Sequence, residues 1–304
     1  MLTIFGAQNQ DIAWSNAVVC IGTFDGVHLG HQALIRRAVQ RAAELEFPAV
    51  VVTFDHHPAR VLAPDRCPPA LGSLAQNLAH IAELGVAATV VLHFDAALAT
   101  TRASTFLDEI LVQTLHAREL VIGHDFAFGK DREGTGEWVA ERISAETFPP
   151  FSVDGHRVSS SEIRGAVQSG DVEHAARLLG RRFSLTGVVG HGEKLGRTLG
   201  YPTANLELPA TLAIPGDGVY SSMARTRFGV FPAAVSIGSR PTVGDRPRVV
   251  EAYLLEYPGD SLYGTALSLE FLARVRGQER FNDLEQLKSQ MASDIQQVAL
   301  DARR

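Results

Sequence analysis

The sequence predicts two differently built halves: an α/β half with a doubly wound parallel sheet, then an all-β half closed by one helix. Two observations predict this. Up to about Gly180, short β-rich runs alternate with helical periodicity, the signature of a parallel sheet covered on both faces. From Phe183 the runs shorten and are punctuated by Gly, Pro and Asp, the texture of an antiparallel barrel or sandwich. At 304 residues the chain exceeds one average domain. The border is expected near Arg181–Ser184, giving residues 1–182 and 183–304.

In the first half, strands are expected over Ala17–Phe24, Ala49–Phe54, Ala87–Phe94 and Glu119–Ile122. Helical spacing of apolar residues predicts helices over Gly30–Leu45, Leu74–Leu84, Ser104–Leu115 and Gly134–Glu141. Two more, Ser161–Gln168 and Val172–Leu179, close this half, the second stopped by Gly180 as a C-cap. The second half offers strands over Ser184–Val189, Gly218–Met223, Ala233–Ile237, Val249–Leu255 and Ala266–Phe271. Its last helix is expected to bury Leu284, Leu287, Ile295 and Val298.

A net charge of −6 argues against a broad nucleic-acid surface and against a polybasic membrane patch. Cys20 and Cys67 form no metal-type pair and no disulfide framework, which fits a reducing cytoplasm. The first residues lack a basic stretch followed by an apolar core, and no run is long enough to span a bilayer. A cytoplasmic location is expected.

The most informative segment is Gly22-Thr-Phe-Asp-Gly-Val-His28-Leu-Gly30-His31. It lies between an apolar strand and an amphipathic helix, so free backbone N–H groups and the positive helix end face one spot above the sheet. His28 and His31 share a face of the first turn, where imidazoles can donate to phosphate oxygens. Gly30 lets a ligand approach the main chain. In such sheets ligands sit beyond the carboxyl ends of the strands. Three more segments converge there: Thr53-Phe-Asp-His-His-Pro58, Gly123-His-Asp125-Phe-Ala-Phe-Gly129-Lys130-Asp-Arg132, and Val158-Ser-Ser-Ser161-Glu-Ile-Arg164. Ser159 or Ser160 is a good N-cap, and the hydroxyls with Arg164 can hold phosphates. Asp55-His56-His57 has metal-ligand chemistry, but adjacent residues rarely aim at one ion, so a structural or substrate-lining role is expected. Gly123–Lys130 fails as a phosphate loop, because Asp131 stands where a hydroxyl is required.

His28-Leu-Gly30-His31 together with Ser159-Ser-Ser161-Glu-Ile-Arg164 resembles the two signatures of the HxGH nucleotidyltransferase superfamily. The surrounding residues resemble the adenylyltransferase module of bacterial bifunctional riboflavin kinase/FAD synthetases. That resemblance implies transfer of AMP from ATP to FMN, giving FAD and pyrophosphate. It implies that His28 and His31 act on the ATP phosphates, with Gly22, Phe24 and Gly30 beside them. It implies that Ser160, Ser161 and Arg164 hold the triphosphate, and that Asp125, Phe126 and Phe128 lie on the flavin or nucleotide side. Two positions depart from the family pattern: a third serine replaces threonine, keeping the hydroxyl, and Asp55-His56 stands where Glu-Pro is usual.

In the second half, the stretch from Gly187 to Gly200 is dense in glycine but lacks the dinucleotide spacing, so a flap over phosphates fits better. Pro202-Thr203-Ala-Asn205 follows; in an extended segment its hydroxyl and amide oxygen share one face and can share one Mg²⁺. This stretch, with Gly218-Val-Tyr220, Ile237-Gly-Ser-Arg240-Pro241-Thr242 and Leu262-Tyr-Gly264, resembles the riboflavin kinase module of the same family. The resemblance implies an antiparallel β-barrel that phosphorylates riboflavin to FMN. Glu251 would be the general base for the 5′-hydroxyl, Thr203 and Asn205 would organise Mg²⁺ and ATP, and Gly192 and Gly196 would line the ATP phosphates. On pattern alone Glu251 is ambiguous, since Val249, Ala252 and Leu254 do not alternate cleanly.

The partners expected are therefore small molecules, namely ATP, riboflavin and FMN, with no nucleic acid and no membrane; a weak homo-oligomer is left open. Rivals are another HxGH nucleotidyltransferase, which lacks the Pro-Thr-Ala-Asn appendage, and a non-catalytic flavin-binding protein on the same scaffold. An aminoacyl-tRNA synthetase shares the phosphate logic but calls for a basic RNA-binding domain, which this charge balance lacks.

Overall fold

The computed structural model describes residues 1–6, 12–191, 200–238, 248–259, 261–281 and 283–303. Contacts divide the chain into two compact units, Met1–Ser160 and Ser161–Arg304.

The first unit is built on six parallel strands: β1 (Leu2–Phe5), β2 (Ala17–Ile21), β3 (Ala49–Phe54), β4 (Ala88–Leu92), β5 (Ala117–Gly123) and β6 (Ser144–Phe148). They lie in the order β1-β4-β3-β2-β5-β6. The direction of winding reverses between β2 and β5, so a crevice opens at their carboxyl ends. The four strands expected from apolar runs are the four inner ones. The two edge strands escape that reading because β1 is four residues long and β6, Ser-Ala-Glu-Thr-Phe, is polar.

Alternate residues of the inner strands feed two cores. Val19, Ile21, Val50 and Val52 meet Phe106, Leu107 and Leu111 on one face. Val18, Cys20 and Val51 meet Leu34, Ile35 and Ala38 of α1 (Leu29–Leu45) on the other. The expected helix over Ser104–Leu115 is present, but Phe106–Thr114 is wound as a π-helix. Arg41 of α1 forms a bidentate pair with Glu119 of β5 at 2.6 and 2.9 Å, and Arg37 does the same with Glu146 of β6 at 2.7 and 2.8 Å. The short helices α2 (Ala59–Leu62), α3 (Leu74–Ala82), α4 (Ala96–Thr100), α5 (Ala103–Thr105) and α6 (Gly136–Ala140) fill the connections. A two-stranded hairpin, β7 (Ser152–Val153) and β8 (His156–Arg157), precedes α7 (Ser160–Ser169).

The second unit comprises most of α7, then α8 (Val172–Leu179), and a closed barrel. Its strands are β9 (Ser184–Gly190), β10 (Ala204–Glu207), β11 (Gly218–Thr226), β12 (Gly229–Gly238), β13 (Val249–Leu254) and β14 (Ala266–Arg276), ordered β10-β13-β12-β11-β14-β9. Gly180 ends α8 with φ 70°, as its place after the last apolar residue predicts. The barrel interior holds alternate residues such as Val235, Ile237, Val250, Ala252, Leu267 and Phe271.

The terminal helix α9 (Leu284–Asp301) corrects the expected apolar stripe. Leu284 is exposed, whereas Asp294 is buried beside Val298. The buried carboxylate is compensated: Arg276 of β14 chelates Asp294 at 2.9–3.1 Å, and Gln290 donates to it at 2.9 Å. A polar anchor, invisible to an apolar-periodicity reading, thus fixes this helix to the barrel.

Candidate active sites

In the first unit a cleft of about 770 Å³ opens at the winding reversal. Its lining includes Gly22, Phe24, His28, Gly30, His31, Asp125, Phe126, Phe128, Ser159 and Ser160. The turn after β2 carries strain at its functional end: Phe24 and Val27 have φ of 47° and 38°. Such values cost non-glycine residues about 1–3 kcal/mol each and persist only where the surroundings enforce them. Asp25 is the enforcing residue that sequence reasoning missed. Its buried carboxylate accepts the Leu71 N–H at 2.9 Å, and its carbonyl accepts the Ser160 hydroxyl at 3.1 Å.

His28 is the N-cap of α1; its Nδ1 accepts the His31 N–H at 3.2 Å. An accepting Nδ1 places the proton of the neutral ring on Nε2. The two imidazoles stack, with centroids 3.6 Å apart and 16° between planes. Phe24, almost fully buried, meets His31 edge-on at 5.2 Å. The glycines do more than admit a ligand. A Cβ on Gly22 would stand 3.0 Å from the Phe24 ring, and one on Gly30 would stand 3.2 Å from the His28 ring. A side chain at either position would press on its ring and push it by a few tenths of an ångström.

The helix with the serine motif starts at Ser160, so Ser159 precedes its first turn as an N-cap requires. Ser161 is exposed and Arg164 buried; both are counted with the second unit. Asp125 lies outside β5 and pairs with Arg157 at 2.6 Å, while Arg132 donates to the Asp125 carbonyl at 2.9 Å. Arg132, the last residue of the Gly123–Arg132 segment, and Arg157 both line the cleft; Arg157 escaped the sequence reading, and its signal was its closeness to the serine motif. Phe126 is half-buried, whereas Phe128 is buried against Phe106 and Trp138 and is chiefly a core residue.

On the β3 side, Phe54, His57 and Pro58 line the cleft, and His57 Nδ1 accepts the Ala59 N–H at 3.1 Å. Asp55 bonds instead to His56 at 2.7 Å and to His93, just past β4, at 2.5 Å. Burial works against the Asp55 charge, but His93, the Phe94 N–H and His56 outweigh it and hold its pKa below the ordinary value. The hydrogen bond to Asp55 raises the pKa of His93.

In the barrel, Asn205 of β10 stands directly opposite Glu251 of β13, and Glu251 opposite Ser236 of β12. Directly opposed residues have Cβ atoms about 4.5–5.5 Å apart. The strand around Glu251 does alternate, which corrects the ambiguous reading. Val250, Ala252 and Leu254 are buried, while Val249, Glu251 and Tyr253 are half-buried on the outer face. Thr203 and Asn205 flank buried Ala204 and likewise face outward. On the neighbouring strand, a Cβ at Gly190 would overlap the Glu207 carboxylate, which would have to swing away. Gly192, Gly196 and the segment Arg240-Pro241-Thr242 lie outside the described residues.

Comparison with known proteins separates the same two parts. A family model described as FAD synthetase matches residues 10–162, and one described as riboflavin kinase matches residues 179–300. The chain is 38% identical to the bifunctional riboflavin kinase/FMN adenylyltransferase of Pseudomonas fluorescens, across 97% of this chain and 96% of that one. It is 35% identical to the Escherichia coli K12 protein of the same name, with 97% and 96% covered. A crystal structure from Streptococcus pneumoniae, described as a macrolide-efflux protein, is similar with a TM-score of 0.87 at 30% identity, covering 97% of this chain and 98% of that one. That description belongs to the streptococcal protein; among the described residues here, no helix is long and apolar enough to cross a membrane. On these matches, and on a fold with one parallel-sheet unit and one barrel, the chain belongs to the bifunctional riboflavin kinase/FMN adenylyltransferase family.

Proposed function

We propose that residues 1–182 adenylylate FMN and residues 183–304 phosphorylate riboflavin, each with its own ATP. The overall conversion is riboflavin to FMN to FAD. The observation that carries the first assignment is the stacked His28–His31 pair at the start of α1, inside the cleft at the winding reversal. A phosphate oxygen of FMN attacks the α-phosphorus of ATP, and the bond to the departing pyrophosphate breaks. No protein nucleophile is needed; the site orients reactants and stabilises charge on the phosphoryl oxygens. His28 and His31 donate to those oxygens, and the N–H groups at the α1 terminus add to the same field. Gly22, Phe24 and Gly30 shape the floor. Ser160, Ser161 and Arg164 hold the triphosphate, and Asp125, Phe126 and Phe128 lie toward the flavin.

In the barrel, Glu251 takes the proton of the riboflavin 5′-hydroxyl as its oxygen attacks the γ-phosphorus. ADP leaves with the electrons of the broken P–O bond. Gly192 and Gly196 belong to the ATP flap. Mg²⁺ fits the donors present: the Thr203 hydroxyl and Asn205 amide oxygen are hard, neutral ligands facing outward beside the Glu251 carboxylate. When bound, the ion neutralises polyphosphate charge. The protein works in the cytoplasm, consistent with two free cysteines, one of them buried.

The test is direct. Purified protein incubated with riboflavin, ATP and Mg²⁺ should yield FMN and then FAD on chromatographic separation, and FMN with ATP and Mg²⁺ but no riboflavin should yield FAD. Absence of both products would overturn the assignment; flavin binding without ATP consumption would establish the non-catalytic rival.

A further inference from the structure

Outside both phosphate sites, the exits of β3 and β4 bring together Asp55, His56 and His93. One ligand atom from each lies within 4.8 Å of the others. Both carboxylate oxygens of Asp55 are engaged, Oδ1 with His56 Nδ1 at 2.7 Å and Oδ2 with His93 Nδ1 at 2.5 Å. The group is not floppy at its base. The Asp55 N–H donates to the Leu92 carbonyl at 3.0 Å and the Phe94 N–H donates to Asp55 Oδ1 at 3.2 Å, so the two strand exits are locked around the carboxylate. Asp55 and His56 are half-buried, whereas the His93 side chain is 70% exposed and leaves an open side.

We propose that Asp55, His56 and His93 form a binding site for a divalent transition cation of the zinc type. Two imidazole nitrogens and one carboxylate are the borderline ligand set that such ions select, with an open position for water; Mg²⁺ prefers all-oxygen shells. Metal–ligand bonds of about 2.0–2.2 Å put tetrahedral donors about 3.3 Å apart. The present hydrogen-bonded pairs need to open by less than about 1 Å to reach that spacing, and an exposed His93 ring has room to swing. Each neutral imidazole then offers its Nδ1 lone pair to the ion and carries its one ring proton on Nε2, the tautomer change running through solvent. His57 is not part of the set, since it turns into the cleft and its Nδ1 accepts the Ala59 N–H. The bound ion would tie the exit of β3 to the exit of β4, fixing the wall to which Phe54 and Phe94 contribute.

The experiment uses the full chain, stripped with chelator and titrated with Zn²⁺ by calorimetry in Mg²⁺-containing buffer, with metal content read by mass spectrometry. One tightly held equivalent is expected. His93→Ala and His56→Ala should each weaken that event at least tenfold, while His57→Ala keeps it. Substitution with Co²⁺ should give visible ligand-field bands that both variants lose. Metal-free melting curves of the variants, matching the parent, establish that the loss is local. The proposal is overturned if the stripped protein takes up no stoichiometric Zn²⁺, or if uptake is unchanged in both histidine variants. In that event the triad is a hydrogen-bonded clasp alone.

Discussion

The two proposed phosphate sites of this chain are made in opposite ways. In the parallel-sheet unit the cradle lies beyond the strands, in turns whose backbone is forced into positive φ at Phe24 and Val27 and pinned by Asp25. The donors proposed there are a capping histidine, its stacked partner and a helix terminus. In the barrel the key residues lie within the ladder itself. Asn205, Glu251 and Ser236 form one row across three paired strands in unstrained extended backbone. The first design places polar groups at the start of α1, where the helix dipole is positive. The second sets Glu251 beside Asn205 and Ser236 by register alone, so that a slip of one residue would turn Glu251 into the barrel interior. On the proposed assignment, strain and loop packing serve adenylyl transfer and register serves phosphoryl transfer.

That contrast can be broken at four points. Glu251→Gln should lower riboflavin phosphorylation by about 10²–10⁴-fold while sparing FAD formation from supplied FMN, measured by separate assays of each step. Equal damage to both steps would erase the division. Next, Asp294→Ala should strand Arg276 beneath α9 and cost the barrel about 3–5 kcal/mol. Hydrogen exchange should show barrel amides opening first, with the strands of the parallel sheet protected as before. His31→Ala should reverse the first result, lowering FMN adenylylation by about 10²–10³-fold, since one preorganised donor to a charged transition state is removed. The kinase rate should stay at its parent value.

The smallest effect is a pH dependence confined to the first unit. The bidentate hydrogen bond from Arg41 holds the Glu119 pKa below its ordinary value, against the opposing effect of burial. A depressed carboxylate contributes stability above its unfolded pKa of about 4.3, and that contribution is lost as pH falls through the folded value. Glu119→Gln should therefore cost about 1–3 kcal/mol at neutral pH, and the gap to the parent should close on acidification. Urea titrations at a series of pH values check it; a constant gap would mean the pair acts only through packing.

Much of this arrangement was legible in the sequence. Inner strands announce themselves because both faces are buried: Ala17–Ile21 and Ala49–Phe54 are almost wholly apolar. The glycine–histidine turn was legible because strand, turn and helix leave little choice about where backbone N–H groups point. What escaped was set by partners distant in sequence. Asp294 reads as a surface residue until Arg276 is placed against it, and Asp25 reads as a turn residue until Leu71 and Ser160 arrive. His57 turns away into the cleft, but adjacent Asp55 and His56 meet at one spot, against the expectation drawn from adjacency. Only the neighbouring strand exit supplies His93, which no local spacing could reveal. The alternation around Glu251 was hidden for another reason: Val249 is apolar yet faces outward, which blurs a two-residue period.

The short first strand carries a consequence for handling the protein. A barrel closed on itself presents no unsatisfied flank, but an open sheet must end somewhere, and here one end is β1, with Leu2 and Phe5 exposed. Its neighbour β4, Ala-Thr-Val-Val-Leu, is buried along its whole length. Trimming the first six residues would bare the hydrogen-bonding rim of an uncharged, valine-rich strand, an adhesive surface for other copies. Those few residues act as a sacrificial cover, so purification handles belong at the far terminus and N-terminal clipping should foreshadow turbidity.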